Sequence, residues 1–419
     1  MIIPNTTSTL TRTAWIVVVL LVPVGLLNYL DRQMLSTMKS SVMISIPTIE
    51  NNANWGLMLG QFKWVYAFLS PLGGYLADRF SRRYTVCLSL FVWSLVTWWT
   101  GHVTTFNELL LTRSLMGISE AFYMPAALAL IADYHTGGTR SRAIGFHQMA
   151  IYCGVMAGGF GGYVADAPML GWRFAFTACG VVGMLYALPL VVLLRDAPRA
   201  ESSEPMSRTD PVRSFVELFS NPSFQLLVFY FTLPAVAAWV VRDWMPAILK
   251  TEFRIEQRTA GIAATMPWLI AAIVGAFVGG WLADRWTLRN IRGRIYVSAI
   301  GMSLIVPAIY GVGFEASKAQ SLNLVMCYLV LFGLGWGFFD GNNMPILSQI
   351  VRPELRATGY GIMNFVSIGC GGIADWGFGK LRDEGVSLNL IFGLFAGAAI
   401  VSVILVLLIR PRNEATEVC

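Results

Sequence analysis

Gly73-Gly74-Tyr75-Leu76-Ala77-Asp78-Arg79 ends one apolar stretch of this 419-residue chain, and Gly279-Gly280-Trp281-Leu282-Ala283-Asp284-Arg285 ends another 206 positions later. Two further pairs keep the same order. Met124-Pro125 recurs as Met344-Pro345, and Arg142-Ala143-Ile144-Gly145-Phe146 recurs as Arg356-Ala357-Thr358-Gly359-Tyr360. A chain that repeats itself across its middle is built from two like halves. Many secondary transporters share that layout, with the substrate site near the bilayer midplane where the repeats meet.

Composition agrees with a membrane setting. Hydrophobic residues make up 56% and charged residues only 13%, which excludes an ordinary soluble domain. Hydropathy marks twelve stretches, at about 14–36, 54–77, 84–103, 107–132, 143–165, 174–194, 223–248, 261–283, 295–314, 321–348, 357–379 and 388–409. Each is expected to be helical, because backbone exposed to lipid must satisfy its own hydrogen bonds. An even count leaves both termini on one side. Of the 30 lysines and arginines, 18 lie in the termini and loops of that side and 8 in the opposite loops. The positive-inside rule makes that side cytoplasmic. The first run is too long for a cleaved signal and lacks a following small-residue site.

The expected fold is therefore all-α, with twelve transmembrane helices in two six-helix pseudo-repeats. Residues 1–194 form the first half and 223–419 the second. Between them, 195–222 reads as a cytoplasmic linker, and its segment 212–219 is weakly amphipathic and suited to the membrane surface. A monomer in a bacterial inner (plasma) membrane is expected.

Other classes fit poorly. The net charge of +6 comes from scattered arginines rather than a basic patch, so no nucleic-acid partner is expected. The six cysteines, Cys87, Cys153, Cys179, Cys327, Cys370 and Cys419, show neither CxxC nor metal spacing. No metal, cofactor, disulfide or catalytic cluster is expected, and the chain does not read as an enzyme. Asn5-Thr6-Thr7 fits a glycosylation sequon by chance if that tail is cytoplasmic. Glycines 154, 158, 159, 161 and 162, with 369, 371 and 372, suit close helix contacts. A phosphate loop is excluded by their apolar setting.

Charges inside the apolar stretches carry the functional reading. Asn28-Tyr29-Leu30-Asp31-Arg32 closes the run from Trp15 to Leu35, and Lys63, Arg113, Glu120 and Arg242 also fall within spans. A charge at mid-bilayer costs roughly 2.5–3.5 kcal/mol on insertion scales, so such residues usually face a cavity. The simpler alternative makes Asp31 and Arg32 a mutual ion pair at the rim. Arg113 and Glu120 are seven apart, on one helix face but roughly 10 Å apart along it, so each needs a partner elsewhere.

The second apolar stretch adds Lys63 and Tyr66, which share a face, although Lys63 can also snorkel to the interface. The fifth adds His147, read as interfacial, with Gln148 and Tyr152. The second half contributes Arg242, Asp243, Asp340, Asn342, Asn343, Asn364 and Asp375. Amides and aromatics in such a cavity suit a polyhydroxylated ligand; interhelical packing is the plainer reading for each one. Asp340 is a candidate partner for Arg242. Trp239 and Trp268 read as lipid-facing.

At these residues the chain resembles the major facilitator superfamily over essentially its whole length. The family's Gly-x-x-x-Asp-Arg-x-Gly-Arg-Arg/Lys signature appears as Gly74 to Arg83, with Ser81 in place of the usual glycine, and a partial echo runs from Gly280 to Arg289. The resemblance implies a gate latch involving Asp78, Arg79, Arg82 and Arg83, echoed by Asp284 and Arg285. Asn28 to Arg32, Arg113 to Ala121, Met124-Pro125-Ala126 and Gly171-Trp172-Arg173 resemble the anion:cation symporter branch of sugar-acid and sialic-acid carriers. Spinster-like lipid transporters share the charged pair and the Arg…Glu-Ala stretch and stand second.

In that branch Arg32 would contact the substrate's acid group, while Asp31 and Glu120, with Arg113, would couple protons. Tyr29, Lys63, Tyr66, Gln148, Tyr152, Asn342, Asn343 and Asn364 complete the candidate substrate site. An anion that takes over the guanidinium leaves a carboxylate without its partner in a poorly hydrated cavity, and that carboxylate takes a proton. Arginine suits the anchor because its planar fork stays charged and binds a carboxylate through two bonds. The expectation is alternating-access, proton-coupled symport of a small organic anion such as a hexonate, hexuronate or sialate. A spinster-like exporter of lysolipid or another amphiphile is the alternative.

Overall fold

In the computed structural model the described residues are 6–135, 139–197 and 211–411, without the side chains of 6–11, 74–78 and 211–212. Asn5, most of the linker, the Asp78 side chain and Cys419 lie outside them. The described residues form helices and no strands. In the first part of the chain these are α1 (Thr6–Thr37), α2 (Lys39–Ser45), α3 (Asn52–Arg79), α4 (Arg82–Thr100), α5 (Phe106–Ala121), α6 (Tyr123–Tyr134), α7 (Arg140–Gly159), α8 (Gly161–Asp166) and α9 (Gly171–Leu193). Then come α10 (Pro211–Phe219), α11 (Pro222–Phe253), α12 (Gln257–Thr287), α13 (Gly293–Lys318), α14 (Leu322–Ile350), α15 (Arg356–Asp383) and α16 (Leu388–Leu408). Among them, eight helical segments are long and apolar enough to cross a membrane.

Local chemistry explains where helices start and break. Ser81, the signature's off-pattern residue, caps α4 by accepting a bond from the Tyr84 amide at 3.3 Å. Thr105 and Glu108 close a capping box at the start of α5. The stretch 107–132 is not one rod: it breaks at Phe122, three residues before Pro125. Proline has no N–H for the carbonyl four residues back, which is Ala121. That carbonyl lies against Gly73 of α3, where a Cβ would collide with it. A second break at Phe160 falls among glycines, between α7 and α8.

The chain divides into two compact units. One comprises Met1–Glu201 with Glu256–Ile262, and the other Ser202–Ile255 with Ala263–Cys419. The first turn of α12 belongs to the first unit because Gln257 donates to Ser41 Oγ at 2.8 Å and Asp166 accepts from the Arg258 amide at 3.1 Å. In the second unit the predicted amphipathic segment forms α10. It buries Ser214 and Leu218, keeps Phe215 and Val216 exposed, and ties Glu217 to Arg352 at 2.9 Å.

Within the first unit α1 lies along α7. A Cβ on Gly154 would strike the Leu26 carbonyl, and one on Gly158 would come 2.6 Å from Gln33 Cβ. Small residues let two backbones approach where lipid provides no hydrophobic drive between helices. This contact holds α1, and with it Asp31 and Arg32, in register.

Candidate functional site

Arg32 is bonded to Glu120, not to Asp31. Arg32 Nε donates to Glu120 Oε2 at 2.6 Å, and Nη2 reaches the same oxygen. Glu120 is fully buried, while the Arg32 side chain is 12% exposed. The guanidinium carbon also lies 4.8 Å from the Tyr29 ring centre, 4.6 Å from Phe62 and 5.1 Å from Tyr66. Aromatic faces attract a cation at such distances. The cation of α1 is thus held by one carboxylate and walled by three rings from α1 and α3.

Asp31 is served from α4. Thr97 Oγ1 donates to Asp31 Oδ2 at 2.5 Å. One turn on, Thr100 Oγ1 accepts from Arg113 Nη2 at 3.2 Å and donates to the Val96 carbonyl at 2.9 Å. Asp31 and Arg113 also act on each other electrostatically. The mutual ion pair at the rim is therefore corrected: Asp31 and Arg32 are adjacent in sequence yet serve different partners. Thr97 and Thr100 are the residues that sequence reasoning missed. The sequence shows them only as two hydroxyls three apart within an apolar stretch, which does not single them out.

The remaining candidates are placed as follows. Lys63 is buried, 3% exposed, and does not snorkel. Gln61 beside it donates to Ser114 Oγ at 3.0 Å. Tyr29, Tyr66, Gln148 and Tyr152 are half-buried on α1, α3 and α7. His147 is buried, not interfacial: its Nε2 lies 2.7 Å from the Tyr123 hydroxyl.

Asn342, Asn343 and Asn364 belong to the second unit. Asn342 is fully buried and donates to the Phe338 carbonyl at 2.8 Å, whereas the amide of Asn343 is buried without a protein partner. Arg242 has Asp243 as its acidic neighbour, at 3.9 Å, in place of the expected Asp340, which is exposed. The indole of Trp239 packs on Gly371, where it leaves no room for a Cβ.

Among the gate candidates, Arg82 pairs with Asp133 and donates to the Ala129 carbonyl at 3.1 Å. Asp196 accepts from the Arg83 amide at 2.9 Å, and Arg83 Nη2 bonds the Val191 carbonyl. Asp284 pairs with Arg294 inside the second unit, and Arg285 lies over Trp281 at 5.8 Å.

Apolar helices with ionised side chains buried between them define an integral membrane protein. The chain belongs to the Major Facilitator Superfamily, whose family model matches residues 21–374. It is a transporter and not an enzyme.

Among its relatives, the mouse protein spinster homolog 1 is 33% identical over 376 residues, spanning 82% of this chain and 68% of that protein. The spinster homolog 1 of Xenopus tropicalis is 29% identical, with 84% and 69% covered. A probable L-galactonate transporter of Escherichia coli is 27% identical over 387 residues, spanning 87% of this chain and 82% of the relative. In fold, the chain is similar to a bacterial homologue of the human lysosomal transporter spinster in an inward-facing, unoccupied conformation. There the TM-score is 0.76 and identity 22%, with 95% of each chain covered.

Proposed function

We propose that this transporter carries a small organic anion, a sugar acid in the first instance, together with protons. The observation that carries the reading is the Arg32–Glu120 pair: a permanent cation, partly exposed, held by a buried acid through one oxygen. An incoming carboxylate competes for the guanidinium. Once it wins, Glu120 is left without a counter-charge in a site that water reaches poorly, and protonation relieves that cost. Anion and proton therefore load together. Asp31, held by Thr97 and facing Arg113, is the second candidate proton carrier.

The likeness to a probable L-galactonate transporter over 82% of that protein's length supports the sugar-acid class. The amphiphile reading is supported to the same degree by the spinster relatives, which reach 33% identity. In either case the carrier works by alternating access of twelve spans in two six-helix repeats, as a monomer in a bacterial inner membrane with cytoplasmic termini. No bound cofactor takes part; protons are the coupling ion. Each net positive charge moved inward gains about 2.3 kcal/mol per 100 mV.

The test is a thermal-shift and binding screen of purified protein against hexonates, hexuronates, sialic acid and lysolipids. The sugar-acid reading expects saturable binding of one acid, lost in Arg32→Ala. Binding of lysolipids alone supports the amphiphile reading in its place.

A further inference from the structure

One buried titratable pair has no part in the reading above. His147 on α7 is 1% exposed and bonds the Tyr123 hydroxyl of α6. Both groups meet α1 at Gly25, where a Cβ would lie 3.3 Å from His147 Nε2 and 3.4 Å from Tyr123 Oη. On α1, Gly25, Asn28 and Arg32 follow at i, i+3 and i+7, so they share one helix face. Asn28 stands midway between the His147–Tyr123 pair and the Arg32–Glu120 pair.

Asn28 is fully buried, and neither the nitrogen nor the oxygen of its amide bonds a protein group. The same holds for His147 Nδ1, Asp31 Oδ1 and Glu120 Oε1. Buried polar atoms are almost always satisfied. Where the protein offers nothing, ordered water does so, making two to four bonds to such groups. An amide, a phenol and an imidazole each combine a donor with an acceptor, as hydrogen-bonded transfer requires.

We propose that His147, Tyr123 and Asn28, with ordered water between them, form a reversible proton path between Glu120 and the Arg140 end of α7, the side to which inward transport releases the proton; a drop in pH runs it in the opposite direction. This rests on the proton-coupled reading. His147 Nδ1 takes a proton from water on that side while Nε2 gives one to Tyr123. The phenol releases its own proton to water held at Asn28, and that water passes one to Glu120 Oε1. One proton enters, one carboxyl group forms, and every intermediate group ends neutral. Among the described residues, the titratable group facing His147 is Tyr123 from α6, and the ones near Tyr123 in turn are Tyr29 on α1 and Tyr186 on α9. Asp133 of α6 is engaged by Arg82, and Arg140 and Arg142 lie one to two turns away on α7 itself.

The experiment is a pH drop on purified full-length protein, with no substrate added, followed by time-resolved infrared absorption. The carboxyl band of Glu120 is assigned by its loss in Glu120→Gln. Tyr123→Phe keeps the ring and its packing, and His147→Gln keeps a partner for the phenol. Each should reach the wild-type end point at least about tenfold more slowly, with an unchanged melting temperature in Tyr123→Phe. Wild-type rates in both variants would overturn the path and leave proton coupling intact. A wild-type Glu120 band that responds to pH neither without substrate nor with the sugar acid selected by the screen bound would remove the coupling reading, and the path with it.

Discussion

Arg32 on α1 meets Glu120 on α5 at a single oxygen, Oε2, to which Nε donates at 2.6 Å while Nη2 makes an ionic contact with it. The two residues are 88 apart in sequence, and the pair joins two helices through a fully buried acid. Removing one partner of a buried pair strands the other charge, at a cost of roughly 3–5 kcal/mol. Arg32→Ala should therefore lower the thermal midpoint in detergent well below wild type. Arg32→Ala combined with Glu120→Gln should recover most of that loss, since no charge is then left alone. A double variant as unstable as the single would show that the pair does not hold the helices.

Arg32→Lys keeps the charge and loses the planar fork. Truncating one partner of a buried charge pair costs about 2–5 kcal/mol, so affinity for the sugar acid should fall about 30-fold or more. Equilibrium binding on purified protein measures it, and an unchanged affinity would leave Arg32 without its anchoring role.

Glu120→Gln removes the titrating group while keeping a hydrogen-bond acceptor for Arg32. In proteoliposomes it should still exchange labelled for unlabelled anion between equal pools. Uphill uptake driven by a pH gradient should disappear. Normal accumulation by this variant would take Glu120 out of the coupling.

Thr97→Val deletes the hydroxyl that donates to Asp31. A hydrogen bond to a buried charge contributes about 1.5–3 kcal/mol, so unfolding should shift by that order. Thr100→Val, whose bond to Arg113 is longer at 3.2 Å, should shift it less. Thermal unfolding of the two variants side by side checks the ranking.

Gly154→Ala places a methyl group against the Leu26 carbonyl and should destabilise by roughly 1–3 kcal/mol through overpacking. Gly145→Ala, on the same helix, meets nothing within 4 Å and should stabilise slightly or have no effect. Equal melting points for the two would contradict the close contact between α1 and α7.

The fold was legible in the sequence because hydropathy and backbone satisfaction leave few options in lipid, and because the Asp-Arg signature occurs twice. The break at Phe122 was not: 107–132 reads as one span, and Pro345, the repeat partner of Pro125, lies inside the unbroken α14. The pairing of charges was not, since Arg32, Arg113, Asp31 and Glu120 can be matched in more than one way until helix rotations are known. Thr97 and Thr100 escaped notice for a related reason. A threonine in an apolar helix often bonds its own backbone, as Thr100 does with Val96, and nothing in the sequence marks the one that also reaches a neighbouring charge. The burial of His147 is not legible either, because nearness to the end of an apolar stretch does not give depth; its position opposite Gly25 on α1 buries it.

Proton uptake on ligand binding tests the central claim most directly. Purified protein in weak buffer with a pH indicator is mixed with the sugar acid that the screen selects. Wild type should take up protons as the anion binds, and Glu120→Gln should take up fewer at equal occupancy. Saturated binding with no proton uptake by wild type would contradict the account.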